Sequence, residues 1–357
     1  MSERLQKLRG QFPEFGIDSM LITDILNVRY LSGFTGSTAV LLIARDFTFL
    51  FSDSRYEEQA AEECPGLTLD ISQSKWALRV AQLVYREGIQ KVGFESQSIS
   101  YLEWHELAEQ LGRERLFAAG DPVHSLRMIK DRAEIEEIRK AANIVDLAYE
   151  HVVDFIKPGM QERQVAIELD YFMRQVGADK EGFDSIAASG PRAALPHGHP
   201  TDRVISEGEF LVLDYGARLN GYNSDITRTV MLGTPDAKQN EVYDIVLEAQ
   251  SRAIKAIRPG IPGGEVDAVA RDYIASKGYG DRFGHGLGHG LGLAVHDGRI
   301  FSPKSEIVLQ PGMVATVEPG IYIPGWGGVR TEDDILVTES GCEVLTHSPK
   351  VLSIPIR

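Results

Sequence analysis

Residues 132–332 describe one arrangement twice. A long helical pattern ends in Lys157-Pro158-Gly159, and another ends in Arg258-Pro259-Gly260. Each is followed by a second helical pattern, around 164–176 and 266–277. Each half then reaches a glycine-led strand with an acid six residues after the glycine: GEFLVLD from Gly208 to Asp214, and GMVATVE from Gly312 to Glu318. A second acid follows on a later strand, Asp225 in NSDITRT and Glu332 in RTEDD. Two copies are too few for a solenoid. They predict an α+β domain with internal pseudo-twofold symmetry and four carboxylates converging between its halves.

The first acid pair can be placed more closely. FLVLDYGARLNGYNSDITRTVML reads as two strands joined at Asn220-Gly221, a dipeptide in which both residues tolerate the positive φ of a two-residue hairpin. That turn sets Leu219 opposite Tyr222 and Asp214 opposite Thr227. Asp214 and Asp225 then share one face as diagonal neighbours, roughly 7–8 Å apart at the backbone. Leu211, Leu213, Ile226 and Val230 around them are apolar, so two like charges would lie on a mostly buried face. Such a pair needs a cation or a shared proton. Glu318 and Glu332 repeat the problem, and no lysine cluster lies nearby to answer it.

Histidines add to the acids. GHGLGHGLGLAVHDG holds His285, His289 and His296, and PHGHP holds His197 and His199. Alternating glycines make a poor helix, so this run is expected as a loop or strand edge where backbone and imidazole approach a small site. Carboxylates with imidazole suit Mn²⁺, Co²⁺ or Zn²⁺, and two ions close together polarise a carbonyl and a water for hydrolysis.

The first part of the chain has a different rhythm. Strand patterns at 18–22, 39–44, 48–52, 67–71 and 92–95 alternate with helical ones at 54–63, 76–86 and 101–111, the mark of an α/β domain. Domains are therefore placed at residues 1–125 and 131–357, with Asp131 capping a helix over 132–156. A net charge of −15 argues against a nucleic-acid partner. No apolar run approaches membrane-spanning length, and MSERLQKLRG has no apolar signal core. Cys64 and Cys342 lie far apart, in no metal-like spacing, and read as free thiols in a reducing cytoplasm.

ALPHG, LDYGA, NSDITRT, GHGLGHGLGLAVHD, VEPGIY and RTEDD occur in this order, and together they resemble the pita-bread metallopeptidases, in the branch of aminopeptidase P and prolidase. The likeness spans the chain, because that branch carries an α/β domain of the creatinase/prolidase type before the catalytic one. It implies two divalent ions, with Mn²⁺ favoured over Co²⁺ or Zn²⁺. Asp214 would bind one ion, Asp225 and Glu332 both, and His289 and Glu318 the other. Glu318 would also move the proton from the attacking water to the leaving proline nitrogen. His197 and His296 would contact substrate and the tetrahedral intermediate, and His285 would line the site. Tyr322 and Arg330 are candidates behind them. The implied substrates are small peptides with proline second, and a homodimer is expected.

Plainer readings apply to single residues. A lone hairpin Asp is usually solvated. His105, His124, His151 and His347 read as structural or surface groups, and His199 as a loop residue. His105-Glu106 is followed by Glu109, so no zincin motif exists. The glycine run has the wrong spacing for a dinucleotide fingerprint. Methionine aminopeptidases usually lack the first domain, and creatinase-like relatives do not keep the metal ligands. An inactive peptide-binding module is the reading from another functional class, and intact ligands with His197 and His296 count against it. Arg299, three residues after His296, is a candidate reader of a substrate carboxylate. Its spacing is one residue shorter than in many prolidases, so the sequence leans toward an aminopeptidase P-like enzyme that also takes dipeptides. The alternative is a prolidase restricted to Xaa-Pro.

Overall fold

Pro158-Gly159 and Pro259-Gly260 do the same structural work in their two halves. In the computed structural model, which describes residues 3–354, helix Arg132–Phe155 passes through the first break into Glu162–Gln175, and Ala237–Ala256 passes through the second into Gly263–Ser276. Gly159 and Gly260 adopt φ of +90° and +86°, which a side chain would resist. Their N–H groups donate to matching carbonyls, Ile205 and Leu309, at 3.0 and 2.9 Å. Gly208 and Gly312 likewise donate to Leu232 and Val337. The duplication is therefore carried by backbone bonds at equivalent positions, although few side chains match.

Local signals explain where the helices begin. Asp131 and Glu134 close a reciprocal capping box on the long helix, and Asp236 and Gln239 close another at the head of its counterpart. Val145, Val152, Leu169 and Met173 then pack in one core with Leu211, Leu213, Ile226 and Val230. In the second half Val242, Val246, Val266 and Ile274 share a core with Ala315, Val317 and Ile335.

The sheets of this part are short. Ile186–Ser189, Phe210–Tyr215, Ile226–Leu232 and Ser353–Ile354 form one, and Val314–Val317, Asp333–Val337 and Cys342–Val344 another. Gly320–Ile323 and Gly327–Arg330 form a separate hairpin. The Asn220-Gly221 turn forms with φ of +48° and +84°. Leu219 faces Tyr222 and Asp214 faces Thr227, the register that the turn implies.

The chain divides into two units, Met1–Arg127 and Met128–Arg357. In the first, six strands order as Thr68–Ile71, Thr48–Ser52, Val40–Ala44, Ser19–Ile22, Val92–Phe94 and Leu116–Ala118. Helices Trp76–Arg86 and Tyr101–Leu111 supply Val80, Val84, Leu107 and Leu111 to its core. Three features go beyond the sequence reading. Strand Leu116–Ala118 is only three residues long and has no alternation to read. Helix Glu3–Gly10 is mostly polar, burying Leu5 and Leu8. Helix Ile25–Ser32 has the branched and aromatic composition of a strand, and is started by Asp24 accepting the N–H groups of Leu26 and Asn27. No helix among the described residues is long and apolar enough to cross a membrane.

Candidate metal centre and active site

Strands from both halves deliver the acids. Asp214 stands on Phe210–Tyr215, and Asp225 lies one residue before Ile226–Leu232. Glu318 follows Val314–Val317, and Glu332 precedes Asp333–Val337. Thr227 joins the halves: its carbonyl accepts the Glu332 N–H at 3.0 Å, and its hydroxyl donates to Glu332 Oε2 at 2.5 Å. Asp225 N–H donates to buried Asp334 at 3.0 Å.

The glycine run is an extended edge laid along Val314–Val317. Leu291 N–H donates to Val314 O, Thr316 N–H to His289 O, and Glu318 N–H to Leu287 O. A Cβ on Gly288 would lie 2.0 Å from Thr316 O, and one on Gly290 2.0 Å from Asp297 O. Both glycines are required by backbone approach. His289 Nδ1 meets Gly290 O at 3.0 Å, which assigns the proton there and turns the Nε2 lone pair inward. Nε2 lies 3.6 Å from Asp225 Oδ2 and 3.5 Å from Glu318 Oε1.

Asp225, His289 and Glu332 each offer a ligand atom within 4.8 Å of the others, the one such group among the described residues. Asp225 Oδ1 is buried without a hydrogen-bond partner, an expensive state for a carboxylate oxygen. Burial, with Glu332 and Asp214 adding, drives the Asp225 carboxyl well above the ordinary range. Burial and Glu318 do the same to Glu332. Burial, with Asp214 adding, raises Glu318 to about 7 against the pull of Arg330 and the Thr316 hydroxyl, and burial lowers His289. A divalent cation answers all of these strains at once, so the residues fit one.

Asp214 stands apart from that trio. Its Oδ2 accepts Arg330 Nη2 at 2.5 Å, and both side chains are largely buried. Arg330 Nη1 donates to the Tyr322 hydroxyl at 2.9 Å, which meets His285 Nε2 at 2.9 Å. His285 Nδ1 is occupied by Gly286 O. Burial, then the charge of Arg330, lowers His285 to about 4, so this ring is neutral near pH 7.

These groups open onto a 480 Å³ pocket lined by Asp214, Asp225, His289, Glu318 and Glu332. His197, His285, His296, Arg299 and Arg330 line it too. The His296 and His289 ring centres are 4.3 Å apart. Tyr322 is not on the wall but behind it, holding His285 and Arg330. His199, read from sequence as a plain loop residue, does reach the wall, as do Phe183, Asp184, Ile186, Val295, Phe301 and Ser302. Ile186 was findable only through pairing, since it sits opposite Asp214 in the sheet.

The profile of metallopeptidase family M24 matches residues 136–339, and that of the creatinase/prolidase N-terminal domain matches residues 4–129. This chain belongs to metallopeptidase family M24. The solved structure of an Xaa-Pro dipeptidase from Bacillus anthracis is 46% identical, with 99% of each chain covered and a TM-score of 0.96. An Xaa-Pro dipeptidase of Pyrococcus furiosus is 41% identical over 99% of this chain and 100% of its own length. An X-Pro aminopeptidase from Thermotoga maritima is 38% identical, with a TM-score of 0.90 over 97% of this chain and 100% of its own. The M24 enzyme thus has the pita-bread catalytic fold behind a creatinase-type domain, and family membership implies divalent metal.

Proposed function

We propose that this M24 enzyme is an Xaa-Pro dipeptidase, hydrolysing the bond before proline in dipeptides. The observation that carries this reading is end-to-end kinship with proteins named Xaa-Pro dipeptidase or prolidase, at 46%, 41% and 40% identity. It replaces the sequence-based lean toward an aminopeptidase P-like enzyme. Arg299 supports the change, because it is exposed on the pocket wall with no ion-pair partner among the described residues, ready for a carboxylate.

Two divalent ions would be held by Asp214, Asp225, His289, Glu318 and Glu332, with Mn²⁺ the first choice for so oxygen-rich a set. Bound there, they supply Lewis acidity for the scissile carbonyl and the attacking water. Glu318, half-buried on the pocket wall, takes the proton of the water and passes it to the proline nitrogen. His197 and His296 donate to the oxygen that gains charge. His285 is oriented by Tyr322, and Arg299 binds the substrate carboxylate.

The test is a ratio of kcat/KM for Xaa-Pro over Xaa-Pro-Yaa peptides, with Mn²⁺, Co²⁺ or Zn²⁺ supplied in turn. The expected preference for dipeptides is about a hundredfold, or about 2.7 kcal/mol, and it collapses in Arg299→Ala. A preference for tripeptides would return the reading to aminopeptidase P. An unchanged ratio in Arg299→Ala would remove this arginine from substrate recognition.

A further inference from the structure

His296 and Arg299 stand on a short loop that has no regular secondary structure to hold it. The loop is closed on the glycine run by Asp297 N–H donating to Gly290 O and Gly290 N–H donating to Gly298 O, both at 2.7 Å. A charged contact lies beneath it. Asp297, between His296 and Gly298, turns its carboxylate inward, where Oδ2 is 3.8 Å from Lys130 Nζ. The two side chains are 2% and 1% exposed, although they serve a loop whose neighbouring residues His296 and Arg299 face solvent. Lys130 is itself fixed, since its N–H donates to Gly312 O at 2.9 Å and the next residue, Asp131, caps the long helix.

The sequence accommodates this pair at some cost. A Cβ on Gly292 would lie 2.8 Å from Asp297 Oδ2 and 3.1 Å from Lys130 Cε, so this glycine leaves room for the contact. Gly312, at φ +90°, would bring a Cβ within 3.0 Å of Lys130 O. A buried ion pair adds little stability over an apolar pair of the same size, but it fixes relative position, because removing one partner is strongly destabilising.

We propose that Lys130 and Asp297 are positioning residues that set the His296 loop against the pocket, with Lys130 acting on kcat through His296. The proposal rests on the role given to His296 above. Geometry makes the effect large: misplacing a reacting group by about 1 Å costs on the order of a hundredfold in rate.

The experiment is a double-mutant cycle on the metal-loaded enzyme. The neutral replacement Lys130→Met with Asp297→Asn removes both charges of this contact together, so neither is left facing an empty place, and it releases the loop. The expected result is a fall in kcat of about 10- to 100-fold with normal metal content. In a His296→Ala background the same replacement is expected to cost less than about twofold, because the group it positions is gone. Equal losses in both backgrounds would show a general structural role and overturn the proposal, as would loss of metal or a silent His296→Ala. Failure of the proposed function itself reads differently, as an unsubstituted enzyme that cleaves no Xaa-Pro bond. Should the neutral pair not fold, Lys130→Arg, which keeps the charge but shifts its position, is put through the same cycle, with the same outcomes for and against.

Discussion

At the scale of single residues, the centre is defined by which side chains lack an ordinary partner and which are already occupied. Asp225 Oδ1 has none, whereas Asp214 is engaged by Arg330 and His285 by Tyr322 and Gly286. His285 has a consequence for stability. Burial and Arg330 lower it to about 4 from the usual 6.5. Below pH 6.5 the unfolded chain takes up a proton that the folded chain refuses until about pH 4. The contribution of this ring is therefore complete above pH 6.5 and is lost as pH falls toward 4, by at most about 3 kcal/mol. In metal-free protein, His285→Gln is expected to flatten the fall in Tm between pH 6.5 and 4.5 relative to the parent. Parallel pH profiles for the two proteins would show that the ring already protonates freely in the folded state.

Elements show what could be read from the sequence and what could not. The Asn220-Gly221 hairpin was legible because its turn chemistry is local and fixes the register of every residue up to Asp214 and Thr227. The glycine run was legible as not helical, but its pairing was not. That depends on Thr316 and Phe301, residues distant in sequence whose approach no local pattern announces. The Arg330–Asp214 contact is also long-range, between two hairpins, and Lys130 drew no attention because a lysine beside a helix cap usually faces water. The run permits a sharp comparison. Gly288→Ala places a Cβ 2.0 Å from a backbone oxygen that no rotamer change can move, so a loss of about 3 kcal/mol is expected. Gly284→Ala, where the added Cβ meets nothing within 4 Å, should cost less than about 0.5 kcal/mol. Chemical denaturation of the two variants measures the difference, and equal midpoints would contradict the close approach.

On the scale of the whole molecule, the duplication places the candidate metal group across its own seam. Asp225 belongs to the first half, His289 and Glu332 to the second, and in protein terms the halves meet there through Thr227–Glu332 and Asp225–Asp334. Without a cation, carboxylates driven up by burial and by one another crowd that seam. A bound ion removes the repulsion and stabilises only the state in which both halves are in register, by about 2.7 kcal/mol at a hundredfold excess over Kd. No comparable group exists among the described residues of the first unit. Chelation should therefore speed amide hydrogen exchange in Ile226–Leu232, Val314–Val317 and Asp333–Val337, by up to about a hundredfold where exchange requires opening of the seam. Ser19–Ile22 and Val40–Ala44, in the six-stranded sheet, should not respond. In Asp225→Asn, which removes a carboxylate from the candidate trio, adding or chelating metal should leave the exchange of all five strands nearly unchanged. A response confined to the loop around His289, with the strands of both halves protected alike with and without metal, would mean that the ion is held by a preformed pocket and does not join the halves.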